Sequence, residues 1–125
     1  MPTTNLFINL TNHPSSLWSE KQRQAALLYG EIVDLPFPII DDAGDENYIS
    51  ALADEYLQKI LTFSKDDCVT VHLMGELTFT FALLKRLQRR GIMCIASTSK
   101  RIVKEETAGL KTEVIFQFER FRKYE

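Results

Sequence analysis

Val69-Thr70-Val71-His72-Leu73-Met74 runs without a break into Gly75-Glu76-Leu77-Thr78. A short apolar stretch bounded by glycine and polar residues reads as a buried strand. The helical pattern Leu77–Arg90 follows, stopped by Gly91, and Ile92–Ser97 is the next strand. That is one β-α-β unit. The same event occurs elsewhere: Leu6–Leu10 runs into Thr11-Asn12-His13-Pro14-Ser15-Ser16, and Ile92–Ala96 runs into Ser97-Thr98-Ser99-Lys100-Arg101. Parallel strands would bring these loops to one edge of the sheet, where open α/β sheets bind ligands. Hydroxyls, helix amino ends and an Arg/Lys pair at that edge suit a phosphate-bearing ligand.

Outward from this unit the rhythm continues. Ser19-Glu20-Lys21-Gln22 is a capping-box pattern with Ser19 as N-cap, opening a helix to about Tyr29 that Gly30 ends. Glu31–Leu35 is a second strand, closed by Pro36 and Pro38. The acidic loop Asp41–Asp45 leads to a helix capped by Asp45, with Ile49, Leu52, Ala53, Tyr56, Leu57 and Ile60 at helical spacing. Residues 100–110 are polar with one glycine, Gly109; Lys111–Phe121 then alternates partially through Val114, Phe116 and Phe118. No helix-length segment precedes this last strand, so it enters antiparallel, as a hairpin. The expectation is a single α/β domain over residues 1–125. It is a small Rossmann-like three-layer sandwich, mostly parallel, with a C-terminal antiparallel edge strand.

Composition fits a globular chain: 45% hydrophobic, 26% charged, mean hydropathy −0.13. No apolar run approaches the roughly 20 residues that cross a bilayer, and no signal peptide is visible. Cys68 and Cys94 read as buried free thiols in a reducing cytoplasm, and two Cys with two His in no paired spacing make no zinc signature. The net charge of −2 hides an asymmetry. Residues 1–84 carry four Lys/Arg against twelve Asp/Glu, and residues 85–125 carry eleven against five. The carboxyl third is a local basic region that can attract an anion. Lys85, Arg86, Arg89 and Arg90 within it read as the solvated end of a helix.

The five glycines form neither G-x-G-x-x-G nor a P-loop, which argues against NAD binding and ATP hydrolysis. No cofactor is called for. The first loop offers Thr11, Asn12, Ser15 and Ser16 as donors to a ligand, or as organisers of the turn and cap. His13 can take a proton from a ribose hydroxyl. Trp18 either stacks on a base or packs the helix against the sheet. Gly75, Glu76 and Thr78 sit where free N–H groups favour an anion, although Glu76 also stabilises the helix start. His72, mid-strand, reads as a satisfied core or interface residue. The strongest set is Ser97, Thr98 and Ser99 with Lys100 and Arg101, because guanidinium and ammonium groups both bind phosphate. Arg120, Arg122 and Lys123 belong to a surface or interface.

The segments Asn12–Trp18, His72–Phe79 and Ser97–Arg101, with the terminal antiparallel strand, resemble the CRISPR-associated Rossmann fold in its small stand-alone form. Several such proteins are ring nucleases that degrade cyclic oligoadenylate messengers. The resemblance implies a homodimer whose two loop sets face one cyclic ligand, most readily cyclic tetra-adenylate. It implies no DNA partner and no membrane. It also implies metal-independent attack of a ribose 2′-hydroxyl on the adjacent phosphate, limiting type III CRISPR antiviral signalling. By position, Asn12–Ser16 would contact the ring and Ser97–Arg101 its phosphates. Lys100 and Arg101 would stabilise the transition state, and His13 would act as base. Two other readings stand beside it: a non-catalytic sensor or sponge on the same fold, and a protein-interaction module.

Overall fold

The computed structural model describes residues 4–65, 67–105 and 112–125. Strands β1 (Asn5–Leu10), β2 (Glu31–Asp34), β3 (Cys68–Leu73), β4 (Met93–Glu105) and β5 (Thr112–Lys123) form a five-stranded sheet in the order β2-β1-β3-β4-β5. Every pairing is parallel except β4 with β5. Helices α1 (Glu20–Leu27), α2 (Glu46–Ser64) and α3 (Leu77–Arg89) connect the parallel strands, and a single 3-10 turn, Ser15–Leu17, precedes α1.

Period-two alternation divides the sheet into unequal faces. Leu6, Ile8 and Leu10 of β1 and Val69, Val71 and Leu73 of β3 enter the larger core with Tyr56, Leu57 and Ile60 of α2 and Phe79, Leu83 and Leu87 of α3. Phe7, Ile95 and Phe121 face the other way, against Ala26 of α1 and the half-buried Trp18 and Tyr29. α1 is only eight residues long, so it covers part of that face and leaves the carboxyl end of β3 and the middle of β4 open beside it. The order also reverses at β1: the chain leaves β1 for β2 on one side and returns to β3 on the other.

The helix starts follow their caps. Ser19 accepts the Gln22 N–H at 3.2 Å and Asp45 accepts the Tyr48 N–H at 2.9 Å. Gly91, at φ 71°, ends the third helix in the left-handed conformation. Gly30 is required by space. A Cβ there would stand 2.5 Å from the backbone carbonyl of Asn5. Arg86 departs from the solvated helix end the sequence implies. Its guanidinium ties α3 to α2, bonding Asp54 at 2.7 Å and Ser50 at 2.8 Å.

The largest departure is at the carboxyl end. Ser97-Thr98-Ser99-Lys100-Arg101, expected as a loop, is strand, because β4 continues to Glu105. The polar stretch expected over 100–110 is therefore strand through residue 105, and its remainder lies outside the described residues. β5 supplies the backbone partners for the whole length, from Ile95 opposite Lys123 to Glu105 opposite Thr112. A polar sequence holds strand geometry here because the ladder bonds are backbone groups, whatever the side chains. The register shifts between Thr98 and Ser99, where β5 carries one extra residue. The thiol expectation also divides: both cysteines are free, but Cys68 is exposed and only Cys94 is buried. Among the described residues no helix is long and apolar enough to cross a membrane.

Gly30→Ala is expected to lower the unfolding free energy by about 1–3 kcal/mol, the usual cost of overpacking. Chemical denaturation measures it, and a midpoint equal to wild type would show that β1 can shift to make room.

Candidate functional site

At the carboxyl ends of β2, β1 and β3, three polar residues stand side by side. Asp34 is in register with Asn9, and Asn9 with His72. Asn9 and His72 each stand on the face of α1, one residue before their strands end. Asn9 is 2% exposed and His72 is 2% exposed, so every polar atom needs a partner.

The Asn9 amide nitrogen donates to Asp34 Oδ1 at 2.9 Å and to the His13 carbonyl at 2.9 Å. Both partners are acceptors, so the orientation of the amide is set by its surroundings. Its oxygen therefore faces the Thr11 hydroxyl at 2.9 Å and His72 Nδ1 at 3.1 Å. An amide oxygen only accepts; His72 must carry its proton on Nδ1, and Nε2 keeps a bare lone pair. That Nε2 is buried with no hydrogen-bond partner among the described residues. Burial, with a smaller contribution from nearby His13, lowers the His72 pKa to about 4 and keeps the ring neutral.

Asp34 anchors the other end of the row. It accepts the Ser15 hydroxyl at 2.7 Å and the Ser15 N–H at 3.2 Å. Burial opposes its charge, but the bonds from Asn9 and Ser15 and the charge of Arg23 outweigh that, and its pKa lies below the usual value. Arg23 also donates to the Ser15 carbonyl at 2.7 Å. The loop after β1 closes over the row as its backbone carbonyl at His13 collects the Asn9 amide, the Thr11 hydroxyl at 3.2 Å and the Trp18 indole N–H at 3.2 Å.

Beside this row a cleft of about 520 Å³ opens between the loop after β1, the end of β3, the middle of β4, and β5. Thr11, Asn12, His13 and Trp18 form one wall, Ser97 and Ser99 another, Phe116 and Phe118 a third, with His72 and Gly75 between them. A smaller hollow of about 260 Å³ adjoins it over Asn9 and Asp34, sharing Thr11 and Asn12 as the partition.

The residues singled out by sequence thus divide. Thr11, Asn12, His13, Gly75, Ser97 and Ser99 come together in the cleft. Ser15 is buried and consumed by Asp34, and Ser16 is exposed outside the cleft lining. Glu76 caps α3, accepting from the Thr78 hydroxyl and the backbone N–H groups of Thr78 and Phe79, so neither Glu76 nor Thr78 is aimed at the cleft. Gly75 lines the cleft, but its missing Cβ makes room for the Phe37 ring, which a Cβ there would meet. Thr98 turns to the opposite face and bonds the Arg120 carbonyl at 3.2 Å. Strand alternation sends Lys100 to that face as well. Arg101 keeps the face of Ser97 and Ser99, farther out on the hairpin opposite Phe116.

Asp34, Asn9 and the unsatisfied nitrogen of His72 were missed in the sequence. The available signal was a polar residue in the penultimate place of two largely apolar strands. Trp18 packs edge-on to Phe7 at 5.9 Å and to His72 at 5.7 Å between ring centroids, and still lines the cleft.

A family model described as the Uncharacterized protein MJ1673 family matches residues 5–122. The chain belongs to this family. The match starts at the first residue of β1 and stops one residue short of the end of β5. The family therefore spans the Asp34–Asn9–His72 row and all walls of the cleft. No curated protein matches the chain.

The depressed His72 pKa has a sign. A group whose folded pKa lies below its unfolded value contributes stability that is complete above the unfolded value, and that stability is lost as pH falls toward the folded value. Between pH 6.5 and about 4 the contribution lost is at most about 3 kcal/mol. Thermal melts across this range are expected to show wild type falling steeply and His72→Phe falling less. Parallel profiles would place the acid sensitivity elsewhere.

Proposed function

We propose that this protein binds a cyclic oligoadenylate in the cleft at the carboxyl ends of β1 and β3, beside the middle of β4, and cuts it. The observation that carries the reading is where the cleft lies. It opens beside β1, the strand at which the sheet order reverses, and open α/β sheets place nucleotide sites at that switch point. The strand order, with α1 packed on one face and α2 and α3 on the other, supports reading the domain as a small Rossmann-like three-layer sandwich. The resemblance to stand-alone CRISPR-associated Rossmann proteins supplies the ligand class.

The lining suits such a ligand. Asn12, Ser97 and Ser99 offer donors for phosphate oxygens, and Arg101 brings a cation to the same face. Trp18, Phe116 and Phe118 offer ring faces to bases. A cleft of about 520 Å³ falls in the range of roughly 300–1,000 Å³ that holds a drug-sized molecule. A ring of four nucleotides is larger, so two copies related by a twofold axis would share it.

The reaction needs alignment more than machinery. A ribose 2′-oxygen bonds the adjacent phosphorus and the bond to the 5′-oxygen breaks. The products are a 2′,3′-cyclic phosphate and a 5′-hydroxyl. His13 is the candidate to take the 2′-hydroxyl proton, and the 5′-oxygen recovers one from solvent. Arg101 would stabilise charge on the phosphate. The nucleophile is the ligand's own hydroxyl, so no metal is needed to generate one. Acting in the cytoplasm, such an enzyme would limit a type III CRISPR antiviral signal. One observation favours binding without cleavage: His13 and His72 are the only titratable groups lining the cleft among the described residues, and His72 is held neutral.

Incubation with cyclic tetra-adenylate in EDTA, followed by mass spectrometry, is expected to yield linear products ending in a 2′,3′-cyclic phosphate. An intact ring that co-elutes with the protein identifies a sensor instead. Neither cleavage nor binding ends the ring reading. Arg101→Ala is expected to weaken ring binding about tenfold, and Lys100→Ala, from the opposite face, to change it little. The reverse ranking would place the phosphates on the other side of the hairpin.

A further inference from the structure

His72 lines the cleft, and the proposed reaction leaves its chemistry unused. The residue is 2% exposed, its Nδ1–H is taken by Asn9, and its Nε2 lone pair has no partner among the described residues. A buried acceptor without a donor is costly unless something that visits the site supplies one. The acceptor cannot become a donor by turning over its tautomer. Asn9 presents an oxygen to Nδ1, and Asp34 and the His13 carbonyl hold that oxygen in place. The neighbourhood is aromatic: the Trp18 ring lies 5.7 Å from His72, and Phe118 completes the wall. An anion gains nothing from a lone pair among apolar rings, whereas a flat, neutral group with an N–H at its edge satisfies both features.

We infer that the aromatic end of the cleft holds a nucleobase and that His72 Nε2 accepts a hydrogen bond from its exocyclic amino group. This rests on reading the cleft as a nucleotide site and names the residue that selects the base. Adenine presents an amino donor at its edge, while hypoxanthine presents a carbonyl oxygen in the same place, which sets lone pair against lone pair. His72 is thus a specificity-determining residue; it transfers no proton.

The test uses adenosine and inosine 5′-monophosphates as probes of the full chain carrying ¹⁵N-histidine. The His72 Nε2 resonance is expected to move to the hydrogen-bonded range with the adenosine nucleotide and to stay put with the inosine nucleotide. The adenosine nucleotide is expected to bind about tenfold more tightly. His72→Phe keeps a planar ring and removes the lone pair. It is expected to weaken binding of the adenosine nucleotide about tenfold and bring the two affinities together. Equal wild-type affinities, an unmoved Nε2 resonance, or an unchanged preference in His72→Phe overturns the assignment. The resonance of wild type decides it even if the variant does not fold. Failure of the ring reading is separate: selection of the adenosine nucleotide through His72, with cyclic tetra-adenylate neither bound nor cut, removes the ring and leaves His72 in place. Binding of neither mononucleotide overturns the assignment while the ring assay still judges the reading beneath it.

Discussion

The Asn9 side chain is the constraint on which the site depends. It lies in β1, the strand where the sheet order reverses, and it is almost wholly buried. An amide in such a place must satisfy two donor hydrogens and an acceptor oxygen. It does so by reaching β2 through Asp34, β3 through His72, and the following loop through the His13 carbonyl. Three strands and one loop are thereby held in a single arrangement. The same bonds dictate which nitrogen of His72 carries a proton.

This network also explains why the loop after β1 has its shape. Asp34 takes both the hydroxyl and the N–H of Ser15, and Arg23 holds the Ser15 carbonyl. The 3-10 turn at Ser15–Leu17 is thus pinned to β2 before α1 begins. Trp18 is fixed in turn by its bond to His13 and its edge-on packing against Phe7. A cleft wall built this way is set before a ligand arrives, which lowers the ordering cost of binding. The opposite wall is the β4–β5 hairpin, whose Phe118 packs on Phe121 with ring centroids 4.9 Å apart.

Much of the fold was legible. Glycine stops, the caps Ser19 and Asp45, and the apolar segments named the elements in order, and the antiparallel last strand was expected from its lack of a preceding helix. The hairpin's reach was not legible. Ser97–Arg101 is polar because its side chains face solvent and a cleft, yet its backbone is paired along β5. Side-chain hydropathy does not report on backbone bonding. Within the site, Asn12, His13, Ser97 and Ser99 were reached because polar residues after a short apolar run are a local signal. Glu76 and Thr78 carry the same signal, but their polar atoms are spent on each other and on the helix start.

What the sequence determined alone is local: where each helix begins and ends, which face of each strand is apolar, and that several strand ends carry small polar residues. Propensity, capping and periodicity act over a few residues, so a few residues suffice to read them. Tertiary structure alone decided that Asp34, Asn9 and His72 form one row, since 25 residues separate the first pair and 63 the second. It alone turned Lys100 away from the cleft and left Arg101 on its face, because strand pairing sets which alternate side chains point inward. And it alone left one imidazole nitrogen without a partner among the described residues, since satisfaction of a buried polar atom is a property of everything packed around it.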